Sequence, residues 1–193
     1  MINEKIVFLT DGVVNLRPVL RADLVFLLAT INDPIVRATI GSFLPQSEEE
    51  EEEWIKNLGK KKQTDITFVI EIEDKPIGMM GIGKIIWKDR TATTGAAIKA
   101  VEHRGKGYGT RAKMLLLHYA FNELNLRKIC SGALAFNLAS LRFNEKCGYK
   151  EEGRQKEQVF KAGEHHDLVF TAVFQKDYEP LWEEHKKKHN LDM

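Results

Sequence analysis

His103-Arg104-Gly105-Lys106-Gly107-Tyr108-Gly109-Thr110 places three alternate glycines between two segments of different character. Before it lies a small, apolar run, Gly95-Ala96-Ala97-Ile98. After it, Arg111-Ala112-Lys113-Met114-Leu115-Leu116-Leu117-His118 has helical patterning. Glycine permits positive φ and lets a ligand come close to the main chain. A helix that begins in such a loop directs its unpaired amides and the positive end of its dipole into it. Strand, glycine loop and helix N-terminus together form an anion cradle, most often for phosphate. A Walker loop needs Ser or Thr after Gly-Lys, and here Gly107 follows Gly105-Lys106. A dinucleotide fingerprint needs G-x-G-x-x-G, and this run is G-x-G-x-G. Both nucleotide readings fail on spacing, and a tight turn with no ligand is the remaining alternative.

The 193 residues suit one domain, 1–193, with a substantial core. Charge is abundant but balanced at a formal +1, so composition gives no pull toward nucleic acid or membrane. No apolar run approaches the length of a membrane span. The first residues lack the order of a signal peptide. Two cysteines, Cys130 and Cys147, make neither a disulfide framework nor a metal set, which suits a reducing cytoplasm.

Working outward, residues 13–19 alternate as a first strand, and 21–31 carry Leu24, Leu27, Leu28 and Ile31 on one helical face. Asn32-Asp33-Pro34 stops that helix. A second short helix is expected to begin within 35–43 and to end at Gly41. Ser47 with Glu50 forms a capping box for an acidic helix, residues 48–53 all being Glu, that leads into Trp54. Those carboxylates are either a solvated face near a favourable dipole or a rim that attracts a cationic amine. Residues 64–73 and 77–87 pattern as a hairpin, and Gly78, Gly81 and Gly83 imply a bulge or a close backbone approach inside it. Residues 93–100 are the strand feeding the glycine loop, followed by a helix over 107–124 and a strand over 127–133. A helix over 137–146 closes at Gly148. Residues 149–160 and 166–174 form a last hairpin, and a polar helix over about 177–190 docks through Leu181 and Trp182. The order implies a mixed α+β sheet with one β-α-β crossover through the glycine loop.

A second constellation follows at Asn137-Leu138-Ala139-Ser140-Leu141-Arg142-Phe143-Asn144-Glu145-Lys146-Cys147-Gly148-Tyr149, with Glu152-Gly153 beyond it. With Arg104-x-x-Gly107-x-Gly109, it resembles the GNAT superfamily of N-acetyltransferases. Leu16-Arg17-Pro18, Asn32-Asp33-Pro34 and the acidic helix with Trp54 extend that resemblance over essentially the whole chain. The similarity leans toward the branch of ribosomal-protein alanine and spermidine acetyltransferases.

The resemblance implies the GNAT fold: a mostly antiparallel twisted sheet of about six or seven strands, splayed at the coenzyme site, with helices on both faces. It implies acetyl-CoA as co-substrate, no metal, and direct attack by a primary amine. The acceptor is a protein N-terminus or a small polyamine- or aminoglycoside-like molecule, and a homodimer is possible. Backbone amides of Arg104, Gly105, Lys106, Gly107, Tyr108, Gly109 and Thr110 would hold the pyrophosphate. The preceding strand, around Ile98, Ala100 and Val101, would pair with pantetheine and stabilise the oxyanion. Such a donor is commonly worth ~2.7–4 kcal/mol of barrier. Asn137 would bond the pantetheine amide.

Many relatives carry at the position of Asn144 a tyrosine that protonates the departing thiolate. Asparagine transfers no proton, so Ser140 is the expected replacement; the alternative is a hydroxyl that bonds the helix backbone. The same departure leaves a non-catalytic acyl-CoA-binding module as a second reading. For a general base the residues leave Thr93, Glu102, His103 and a water relay open. His165 and His166 would face opposite ways, which argues against joint metal binding, and Asp167 would steady the hairpin. Tyr149 and Cys147 are expected in the core.

Overall fold

The computed structural model describes residues 6–41, 43–61, 63–99, 103 and 105–191. One eight-stranded sheet runs through it in the order β1-β2-β3-β4-β5-β6-β8-β7. The strands are β1 (Leu9–Thr10), β2 (Asn15–Pro18), β3 (Ile66–Ile72), β4 (Lys75–Ile86), β5 (Thr91–Ile98), β6 (Lys128–Leu134), β7 (Lys150–Lys161) and β8 (Glu164–Phe174). Every neighbouring pair is antiparallel except β5 and β6, the parallel pair that the crossover demands. The count exceeds the expected six or seven chiefly through β1, whose two residues pair with β2 and are too short to show a period.

The helices are α1 (Leu24–Ile31), α2 (Pro34–Arg37), α3 (Glu48–Asn57), α4 (Tyr108–Asn122), α5 (Leu138–Lys146) and α6 (Gln175–His189). The helix expected to end at Gly41 stops earlier, at Arg37, because local side chains compete at both ends. Asp33 Oδ1 caps Ile35 and Val36, which fixes the start at Pro34, and the Thr39 hydroxyl takes the Val36 carbonyl, which ends the run. The capping box of α3 forms as expected: Glu50 N donates to Ser47 Oγ, and Ser47 N donates to Glu50 Oε2. The expected helix 21–31 opens with a 3₁₀ turn, Arg21–Asp23, before α1. Asp23 turns inward there, receives two bonds of 2.8 Å from Arg17, and Arg17 Nε also reaches Glu71 at 2.7 Å. Arg17 is therefore the centre of a buried ionic clamp, with Asp23 and Glu71, that ties β2 to β3 and to the turn that opens α1.

The core lies between the sheet and its helices. Leu16, Phe68, Ile70, Met80 and Ile82 from the strands meet Leu115, Leu116 and Leu117 of α4 and Tyr178 and Trp182 of α6 in one cluster. Tyr178 Oη donates to the Met114 carbonyl at 2.8 Å, and Trp182 stacks on His118. The glycines of β4 are packing devices. A Cβ at Gly78 would overlap the Ala97 carbonyl, and one at Gly81 would lie 2.8 Å from the Ile66 carbonyl. The outer strand β7 is almost wholly exposed and rich in Lys, Arg, Glu and Gln, which discourages edge-to-edge pairing.

Candidate active site

Gly105 and Gly107 have φ of +77° and +85°, and a Cβ at either would meet nothing within 4 Å. Conformation, then, and not crowding, requires glycine at these two positions. Gly107 is the N-cap of α4 and supplies no side-chain cap. The first amides of this 15-residue helix thus face an open loop with no internal acceptor. Gly109 packs differently: its missing Cβ leaves room for Ile98 Cδ1 and the Phe143 ring, so α4, β5 and α5 converge behind the loop. An anionic group on these amides would also meet the exposed Lys106. Ala100, Val101, Glu102 and Arg104 lie outside the described residues.

Beside this cradle the sheet opens. β5 pairs with β6 only from Thr91 to Thr93, opposite Lys128 to Cys130. Beyond that point β5 runs on along β4 to Ile98 and β6 along β8 to Leu134, with no further ladder pair between β5 and β6 among the described residues. Gly95, Ala96 and Gly132 are exposed although they lie in central strands. Main-chain groups of β5 are therefore left facing a gap that an extended arm with amide bonds of its own can fill. This fork is the splay expected of the sheet, and Ser131 Oγ closes its base on the Thr94 carbonyl at 3.3 Å.

α5 borders the fork. Asn137 is its N-cap, with Oδ1 accepting from Ser140 N at 3.1 Å. The Ser140 hydroxyl has no hydrogen-bond partner among the described residues. Ser140 and Asn144, one turn apart, share a face. Asn144 is 1% exposed, and its Nδ2 donates to Ser131 Oγ at 3.1 Å, with Thr171 Oγ1 at 3.5 Å. Its carbonyl accepts from Cys147 N and Tyr149 N. Asn144 thus fastens α5 to β6 and β8 at the base of the fork. Cys147 and Tyr149 are buried as expected, and burial pushes the Cys147 thiol up to about 12.

The positions considered for a base are occupied otherwise. Thr93 Oγ1 donates to the Gly83 carbonyl at 3.0 Å. His103 lies 5.8 Å from the Tyr108 ring, and its buried Nδ1 has no partner among the described residues. His166 contacts the Lys161 carbonyl and the Phe136 ring, whereas His165 is exposed against Phe160. Asp167 accepts from Glu157 N within the last hairpin. Among the described residues no group of three or more His, Cys, Asp and Glu is arranged to hold a metal ion.

Sequence reasoning missed a buried polar chain at the fork. Lys113 Nζ donates to Thr94 Oγ1 at 2.6 Å, and Thr94 Oγ1 lies 2.8 Å from Tyr149 Oη. A signal was present: Lys113 is the single charge within the otherwise apolar stretch Ala112 to Leu117.

Residues 14–150 match the family model described as the acetyltransferase (GNAT) domain. YokL of Bacillus subtilis, an uncharacterized N-acetyltransferase from the SPbeta prophage, is 24% identical over 175 residues, covering 90% of this chain and 97% of its own. YdaF of the same organism, provisionally named a ribosomal N-acetyltransferase, is 34% identical over 102 residues, covering 53% of this chain and 55% of its own. The structure of spermidine N-acetyltransferase from Vibrio cholerae, solved with CoA and spermine, superposes with a TM-score of 0.80 at 28% identity, covering 86% of this chain and 98% of that one. The uncapped glycine loop, the open fork and the family match agree: the chain belongs to the GNAT acetyltransferase family and transfers acetyl groups from acetyl-CoA to an amine.

Proposed function

We propose that this enzyme acetylates a small, polycationic amine of the polyamine type. The observation that carries this reading is the likeness to the spermidine enzyme over most of both chains, in a structure that holds CoA and spermine. Charge supports it. α3 presents Glu48, Glu49, Glu50 and Glu53 to solvent, and Glu50, Glu53 and Trp54, with Asn57, Leu58 and Lys60, line a groove of about 350 Å³ in which carboxylates outnumber the one cation. Carboxylates and an aromatic face together suit a protonated amine.

In this reading the pyrophosphate of acetyl-CoA rests on the amides of Gly105 to Thr110, and its pantetheine lies along β5 from Ile98 toward the fork. Asn137 presents its amide nitrogen to pantetheine while its oxygen caps α5. The amine attacks the thioester carbonyl directly, and positioning in the fork supplies much of the acceleration. Ser140, whose hydroxyl has no partner among the described residues, donates to the departing sulfur. Asn144 holds the fork in shape and moves no proton.

The test is thiol release from acetyl-CoA with spermidine, an aminoglycoside and short peptides bearing free alanine or serine N-termini. Turnover with spermidine and little with the peptides is expected. Turnover confined to a peptide would replace the polyamine acceptor with a protein N-terminus. Ser140→Ala should lower turnover about 10²-fold or more while acetyl-CoA binding stays intact.

A further inference from the structure

Lys113 is 1% exposed, yet no carboxylate pairs with it among the described residues. Beyond Thr94, its Nζ meets the faces of Phe143 and Tyr149, with ring centroids at 5.3 and 5.0 Å, and the thiol of Cys147 is the neighbouring titratable group. Removing an ammonium from water without an anion is costly. Burial accordingly pushes Lys113 down to about 8. A residue that only filled this space would be better as methionine.

The hydroxyls beside it carry an unspent donor. An ammonium can only donate, so Lys113 occupies one lone pair of Thr94 Oγ1. Thr94 and Tyr149 each bring one O–H hydrogen, and the single bond between them uses one. The other has no acceptor among the described residues, although both residues are buried. Thr94 follows directly on the last pair between β5 and β6, at the point where the strands part. A buried O–H backed by a fixed cation at the base of an open gap is an arrangement for stabilising negative charge as it develops.

We infer that Lys113, acting through Thr94 and Tyr149, is a positioning residue that stabilises the negative charge passing to the coenzyme sulfur as the thioester breaks. This rests on the acetyl-transfer reading. The amine nitrogen forms the new C–N bond, the C–S bond breaks, and sulfur leaves with the bonding pair. The nitrogen loses one proton and the sulfur gains one, so the step balances without a further reactant. The proton that Asn144 cannot transfer comes from Ser140 in this reading, and the charge held in α4 eases the build-up of negative charge on sulfur while it does so.

The test uses free coenzyme A and the ultraviolet absorbance of its thiolate, titrated on the wild-type protein, Lys113→Met and Thr94→Val, each corrected for the uncomplexed protein. Lys113→Met is close in volume and apolar, so the fold is retained. Thr94→Val cuts the link while leaving the lysine in place. The wild type should hold the bound thiol as thiolate at lower pH than either variant, with an ionisation constant about tenfold larger. Turnover in both variants should fall by about tenfold or more, with acetyl-CoA affinity preserved. Equal thiolate titration in all three proteins overturns the inference while the enzyme reading stands. A wild type that binds no coenzyme A overturns the reading beneath it, and the inference with it.

Discussion

At the scale of single residues, Lys113 and Gly107 make opposite demands on the protein. The Lys113 ammonium is lowered from 10.5 to about 8, so the unfolded chain binds the extra proton between these values. Stability linked to this group is therefore full above about pH 10.5 and lost as pH falls through about 8. Lys113→Met should raise the melting temperature at pH 7, and the gain should shrink as pH rises toward 10.5; a constant gain across that range would contradict the assignment. Gly107 holds a left-handed backbone at the helix start. Gly107→Ala should cost about 1–2 kcal/mol in denaturant unfolding and weaken coenzyme binding beyond what stability explains. A glycine requirement of this kind was legible in the sequence, because spacing alone set the three glycines between a strand and a helix. The role of Asn144 was not, since its identity says what it cannot do but not that Ser131 and Thr171 would engage its amide.

At the scale of elements, α6 docks through Tyr178, Trp182 and His185, which recur at helical spacing and are buried. His185 stacks on Trp182, and its Nε2 is buried without a partner among the described residues. Burial first, then the neighbouring His189 and Arg111, lower it from 6.5 to about 4. Its contribution is present above about pH 6.5 and lost as pH falls through about 4. The protein should lose thermal stability over this window, and His185→Phe should flatten that limb; an unchanged slope would mean that other groups drive it. α6 also reaches the start of α4, just beyond the glycine loop. Arg111, in the first turn of α4, pairs with Asp11 at 2.5 Å and meets His189 Nδ1 at 3.1 Å. Sequence patterning located these long elements because each presents one periodic apolar face. It failed at β1 and at the end of α2, where two residues or one hydroxyl decide the outcome. It also could not see the Arg17, Asp23 and Glu71 clamp, whose partners are 6 and 54 positions away.

At the scale of the whole molecule, two motifs far apart in sequence meet at one fork. The glycine loop supplies the amides, the Asn137 segment supplies α5, and the single parallel pair between β5 and β6 supplies the gap. Their order was legible from the chain, and so was the class of chemistry. The depth of the fork was not, because strand divergence depends on where pairing stops, which no local pattern records. Binding coenzyme to this preformed cradle should stabilise the fold by about 2.7 kcal/mol at a hundredfold excess over Kd, or about 5–10 °C in melting temperature for a chain of this size. The most direct test of the account is acetyl-CoA turnover with spermidine, followed by thiol release and by the mass of the product. The account predicts thiol release that depends on the amine and matches acetylated spermidine in amount. Stabilisation by acetyl-CoA with no acetylated product from any amine tested would contradict it.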